Sequence, residues 1–172
     1  MALLTMPAAG AGIDSALFGK VRAVSDGICS ITNVTVLKRG ASKAANPLEM
    51  WAAIQEDEEA AHKKGMFVRV DFVLKPEPGS DIRCRAELPP PEVWDGRMWG
   101  QGNSGHGGAL PSLATYTAAG TAGVTTDLGT WMITDCGKTN SKIWPESVRR
   151  DFEWRATHLM TVYGRKIVKA FY

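Results

Sequence analysis

The chain has 172 residues, enough for one domain with a core and too few for two ordinary ones. Its 44% apolar and 22% charged content is that of a globular protein, and no apolar run is long enough to span a bilayer. The net charge is +2, with Lys and Arg scattered among Asp and Glu and no basic stripe, so neither nucleic acid nor a membrane is expected as a partner. Cys29, Cys84 and Cys136 are too few and too irregularly spaced for a disulfide framework or a zinc site. No metal or cofactor is expected.

In chain order, residues 1–12 are small and apolar but lack a basic leading segment, a poor match to a secretory signal. Residues 1–27 read as a poorly ordered N-terminal extension. Residues 33–38 (NVTVLK) alternate as a strand does. Asn46-Pro47 then opens a helical stretch over 48–64, closed by Gly65, with Glu56-Asp57-Glu58-Glu59 on its solvated face. Residues 66–74 (MFVRVDFVL) and 82–88 (IRCRAEL) alternate apolar and polar side chains around a Pro- and Gly-rich link, which predicts an antiparallel pair near a sheet edge. Trp94-Asp95-Gly96 reads as a turn after Pro89-Pro90-Pro91.

The pattern then changes to alternating strand and helix. A short strand over 97–100 runs into a glycine-rich loop, a helix is expected over 111–119, and a second strand over 123–127. A long loop precedes an amphipathic helix over 146–171, whose apolar positions are Val148, Phe152, Ala156, Leu159, Tyr163, Ile167 and Ala170. Antiparallel strands followed by βαβα make an α/β layout.

The chemistry centres on residues 100–108 (GQGNSGHGG). Such a loop turns tightly and brings backbone N–H groups close to a bound group, which suits a phosphate at a helix N-terminus or an oxyanion hole. Gly100, Gly102 and Gly105 spell G-x-G-x-x-G, with Asp127 closing the next strand where a ribose-binding acid would stand. Against that dinucleotide reading, the helix starts late, Gly107 and Gly108 lengthen the loop, and antiparallel strands precede it. A tight turn with no chemistry is the plainest alternative.

Several segments together resemble the tannase and feruloyl esterase family of serine esterases. Ile28-Cys29 through Val36 is similar to that family's opening cysteine and first strand, and Phe67-Val68-Arg69-Val70 and Ser80-Asp81-Ile82-Arg83 to its next two strands. Leu88-Pro89, Trp94-Asp95-Gly96-Arg97 and Gly102-Asn103 resemble its "LP…WNGR…GNGG" signature, and Thr126-Asp127-Leu128-Gly129 its "TDxG". Residues 151–161 (DFEWRATHLMT) resemble the "DFGYRAxHxMT" helix that precedes the nucleophile.

The resemblance implies the N-terminal portion of an α/β-hydrolase catalytic domain over residues 28–172, with an incomplete sheet and no nucleophile elbow. The serine, aspartate and histidine of the triad would lie beyond Tyr172, so this chain alone is expected to be inactive. Its own contribution would be an oxyanion-hole N–H from Ser104 or Gly105, with Asn103 and His106 contacting an aromatic-acid ester. Ser104 stands where the family has glycine, and is not expected to be a nucleophile: Gly102-Asn103-Ser104-Gly105-His106 lacks the final glycine of an elbow and follows the wrong strand.

Complete relatives are often secreted, and a complementary C-terminal chain or a homo-oligomer is the implied partner. A non-catalytic binding or interaction module with the same partial fold remains the alternative from another class. His158 is expected as a hydrogen-bonded residue of the fold, Asp127 as a loop tether, and the six tryptophans as packing residues, Trp99 and Trp131 lying nearest the loop.

Overall fold

A computed structural model describes residues 15–38, 66–105, 107–131 and 144–172. The helix expected over 48–64, His106, Cys136 and most of the long loop before residue 144 lie outside these described residues.

Five strands form one sheet: β1 (Cys29–Lys38), β2 (Met66–Leu74), β3 (Ile82–Leu88), β4 (Met98–Gln101) and β5 (Ala122–Thr126). Their spatial order is β1-β2-β3-β5-β4. The first four neighbours pair antiparallel, and β4 alone runs parallel to β5. The expected β2–β3 pair has the bounds that its alternation marks and lies near an edge, one strand in from it. β1 covers β2 on the outside and β5 pairs with the far side of β3, so the edges are β1 and β4. Alternation reports which face of a strand is buried and carries no information about how many neighbours flank it. β1 is kinked where the register shifts between Ile31 and Asn33, an extra residue of the kind that twists an edge strand away from further pairing.

Helix α1 (Ser15–Arg22) lies within the stretch read as an N-terminal extension and buries Val21 in the main core. Helix α2 (Ala114–Ala118) is shorter than expected, because Leu113, at φ −109° and ψ 5°, leaves the helical region at its start and Gly120 turns the chain at φ +88° after its end. Near the C-terminus, α3 (Glu146–Arg150) passes through a π-helical turn, Asp151–Arg155, into α4 (Ala156–Phe171). The expected span 146–171 is therefore continuous, with one wide turn inserted. That turn rotates the buried stripe, which on α4 runs through Ala156, Met160, Tyr163, Gly164, Ile167, Val168 and Phe171 and leaves Leu159 only half-buried.

Successive residues of a strand point to opposite faces, and β5 shows what each face carries. A Cβ at Gly164 of α4 would stand 3.0 Å from the side chain of Val124, while a Cβ at Gly123 would stand 3.1 Å from Leu113, just ahead of α2. Thus α4 packs on one face and the α2 segment on the other. The core lies on the α4 face, where Val68, Val70, Phe72, Leu74, Ile82, Cys84, Ala86 and Leu88 are fully or almost fully buried. Each such apolar side chain contributes about 1.5–3 kcal/mol of transfer free energy, an upper bound set by the unfolded reference. On the opposite face the cross-strand pair Arg69–Glu87 is closed at 2.8 Å, with Glu87 buried beside Thr117 of α2.

The turn at 94–96 is as expected: the Asp95 carboxylate accepts the Arg97 N–H at 2.9 Å, Gly96 adopts φ +80°, and Trp94 stacks on Tyr172 at 3.7 Å. No helix among the described residues is long and apolar enough to cross a membrane.

Candidate functional site

The glycine-rich loop leaves the carboxyl end of β4, beside the carboxyl end of its parallel neighbour β5. Two groups fix its shape. The Asn103 side-chain amide donates to the carbonyls of Ala109, at 2.5 Å, and Thr126, at 3.2 Å, and its Oδ1 accepts the Ser104 N–H at 2.9 Å. The carbonyl of Asp127 accepts the Gly108 N–H at 2.9 Å. Gly107 lies so close to this turn, at φ +70°, that a Cβ would come within 2.7 Å of the Asp127 carbonyl oxygen; glycine is required there on both counts.

These bonds separate the residues that the sequence groups together. Asn103, expected to meet a ligand, spends its whole side-chain amide inside the loop as a clasp. Of the two expected donors, the Ser104 N–H is committed to that clasp. Gly105 is exposed, sits at φ +60°, and its N–H has no acceptor among the described residues. The Ser104 side chain is exposed as well.

The turn that holds the loop, Thr126-Asp127-Leu128-Gly129-Thr130, is densely bonded. Asp127 Oδ1 accepts the N–H groups of Gly129, at 2.7 Å, and Arg83, at 3.0 Å. Thr130 donates its hydroxyl to the Asp127 carbonyl at 3.0 Å, and Leu128 is held at φ +65°, a conformation costly for a residue with a Cβ. Asp127 is 1% exposed, and burial pushes its carboxyl up to about 7, against the opposing pull of the Gly129 and Arg83 N–H groups. It tethers the turn, as the sequence reading expected, and its carboxylate faces inward. That position, and a five-residue helix beginning nine residues beyond Gly105, leave the G-x-G-x-x-G reading without a ribose partner or an adjacent helix N-terminus.

A second buried acid adjoins the turn. A Cβ on Gly129 would stand 3.1 Å from the Cβ of Asp151, in the π turn. Arg155 donates from Nε to Asp151 Oδ1 at 2.6 Å, from Nη2 to Ser80 at 2.8 Å, and pairs with Glu77 at 2.6 Å. The sequence signal for this network is the i, i+4 spacing of Asp151 and Arg155, two residues of the DFEWRATHLMT stretch. Burial raises the Asp151 carboxyl, opposed by Arg155 and Ser80, while the Arg155 contact holds Glu77 below its usual range.

His158 is on the exposed face of α4 with its ring 5.9 Å from that of Trp154, which corrects the expectation of a residue hydrogen-bonded within the fold. Trp131 packs under the Arg83 guanidinium at 3.2 Å, and Trp99, half exposed, stacks on Tyr116 at 5.0 Å. Cys29 and Cys84 are buried free thiols, each raised by burial. No cluster of three or more metal-ligating side chains occurs among the described residues.

The fold is thus that of an α/β protein whose structural neighbours are esterases. An esterase from Aspergillus oryzae matches with a TM-score of 0.63 at 22% identity, over 90% of this chain and 30% of its own. Feruloyl esterase B from Aspergillus oryzae matches with a TM-score of 0.63 at 24% identity, over 91% and 30%, and tannin acyl hydrolase from Aspergillus niger with 0.56 at 16%, over 89% and 28%. At such identities these likenesses concern the fold.

In sequence, a curated Aspergillus flavus protein described as "Probable feruloyl esterase B-2" is 40% identical over 85 residues, which make up 48% of this chain and 15% of that protein. No protein-family model matches the chain. The chain is thus similar in sequence to a part of that probable feruloyl esterase and in fold to a part of the feruloyl esterase and tannin acyl hydrolase structures, and it spans less than a third of the length of each.

Proposed function

We propose that this chain is the N-terminal part of an α/β-hydrolase domain of the feruloyl and galloyl ester hydrolase type, and that its chemical contribution is the Gly105 N–H, offered to the oxyanion of a tetrahedral intermediate. The observation that carries the reading is the pairing of a committed donor with a vacant one: the Asn103 clasp ties up Ser104 and leaves Gly105 exposed at the carboxyl end of a parallel strand. In this fold one oxyanion donor follows the nucleophile and the other comes from a loop of this kind. Serine, acid and base would come from polypeptide completing the sheet beside β4, whose outer edge is unpaired among the described strands. Such an edge also favours the second reading, a non-catalytic module that pairs with another chain.

Hydrolysis of methyl ferulate and of a chromogenic aryl ester separates the two. The chain alone is expected to give no turnover and no labelling by a serine-directed fluorophosphonate. Co-expressed with the remaining part of a feruloyl esterase B, it should restore turnover, and Gly105→Pro, which deletes the donor and also cannot keep φ +60°, should lower kcat by at least about 10²–10³. Labelling of Ser104 in the lone chain, or full activity with Gly105→Pro, would refute the proposal.

A further inference from the structure

The turn that grips the loop is built around a carboxyl group that is only half satisfied. Asp127 Oδ1 accepts two backbone N–H groups, whereas Oδ2 is wholly buried and has no hydrogen-bond partner among the described residues. A buried carboxylate oxygen without a donor is among the costlier groups a fold can hold, and a proton on it removes most of that cost.

The surroundings offer little to stabilise a charge at this oxygen. From the β3 side, Arg83 attracts it, Asp81 repels it, and Cys84 is a buried neutral thiol. Across Gly129 stands Asp151, whose own charge is matched by Arg155, itself shared with Glu77. The glycine loop brings no titratable group among its described residues.

We propose that Asp127 is a proton-controlled latch: as a neutral acid it holds the 126–130 turn closed on Gly108, and on ionisation it loosens that turn and the glycine loop with it. The coupling runs through one residue, since the same Asp127 whose carboxyl is unsatisfied supplies the carbonyl that accepts the Gly108 N–H. Leu128, held at φ +65° only by the bonds around it, is where the turn would relax.

The direction follows from proton linkage. The folded group titrates near 7 and the unfolded one near 3.8, so the closed turn holds the extra proton. Its stability is complete below the lower value and is lost as pH rises to the higher one. For the functional meaning this rests on the oxyanion-loop reading, but its test needs no ester and so fails or succeeds separately.

Two measurements on the full chain decide it. Side-chain ¹³C NMR should show Asp127 titrating near neutrality, and a midpoint below about 6 overturns the latch. Amide exchange at Gly108, corrected for intrinsic rates, should lose protection on the order of a hundredfold between about pH 5 and about pH 8. Asp127→Asn, which carries no charge at either pH, should abolish that change. Protection that is flat in the parent chain, or a fall that persists in Asp127→Asn, overturns the latch; if the variant does not fold, the parent titration and exchange decide alone.

Discussion

The π turn and the 126–130 turn touch at Gly129, and each buries an aspartate, yet they hold its Oδ1 by different means. Asp151 is met by a guanidinium that is itself held by Ser80, Glu77 and the Ser147 carbonyl, so a charge is surrounded by charges and donors. Asp127 is met only by backbone N–H groups, on Oδ1, while its Oδ2, like Oδ2 of Asp151, has no hydrogen-bond partner among the described residues. Burial raises both carboxyls, but only Asp151 has a cation bonded to it. The contrast shows that a carboxyl can be kept in an interior either by pairing it with a cation or by leaving it protonated, and that each choice sets its own range of pH sensitivity.

The comparison is broken most severely at Arg155. Arg155→Ala strands Asp151 at 0% exposure and should cost about 3–5 kcal/mol in urea unfolding. A double variant that also carries Asp151→Asn should lose less than the sum of the two single losses, and strict additivity would show that the pair is not coupled. Next comes the other turn: Gly107→Ala forces a Cβ against the Asp127 carbonyl at an unfavourable φ and should cost on the order of 2–3 kcal/mol. An unchanged midpoint would mean that the loop is not gripped there. The smallest effect belongs to Glu146, which contacts Arg149 and Arg150 at the surface. Glu146→Gln should change stability by less than about 1 kcal/mol and less still in high salt.

Legibility in the sequence followed the physics of each element. β2 and β3 were readable to the residue because their side chains alternate between core and partly exposed positions. β1 was visible only from Asn33, since its first residues contain the extra residue that breaks the alternation. The order of the sheet was not readable: nothing in residues 122–126 says that this strand enters between β3 and β4. Nor was the π turn, because a single inserted residue leaves apolar spacing looking helical on both sides.

For the candidate site, the glycines marked where the backbone must turn, and the family resemblance marked which loop mattered. What escaped was the use of side chains inside the loop. An Asn beside a Ser in a glycine-rich stretch reads equally as a ligand contact or as a clasp, and only the positions of the Ala109 and Thr126 carbonyls decide between them. Asp127 was similarly ambiguous until Arg83, distant in sequence, was placed against it.

Gly123 and Gly164 have a mechanical corollary. At each, bare main chain on one side is filled by a branched side chain from the other, Leu113 against Gly123 and Val124 against Gly164. A single methyl at either position would act as a wedge; at Gly123 it would press on Leu113, four residues beyond the Ala109 carbonyl that Asn103 holds. Lesions several residues away from the loop would therefore be felt at its anchor.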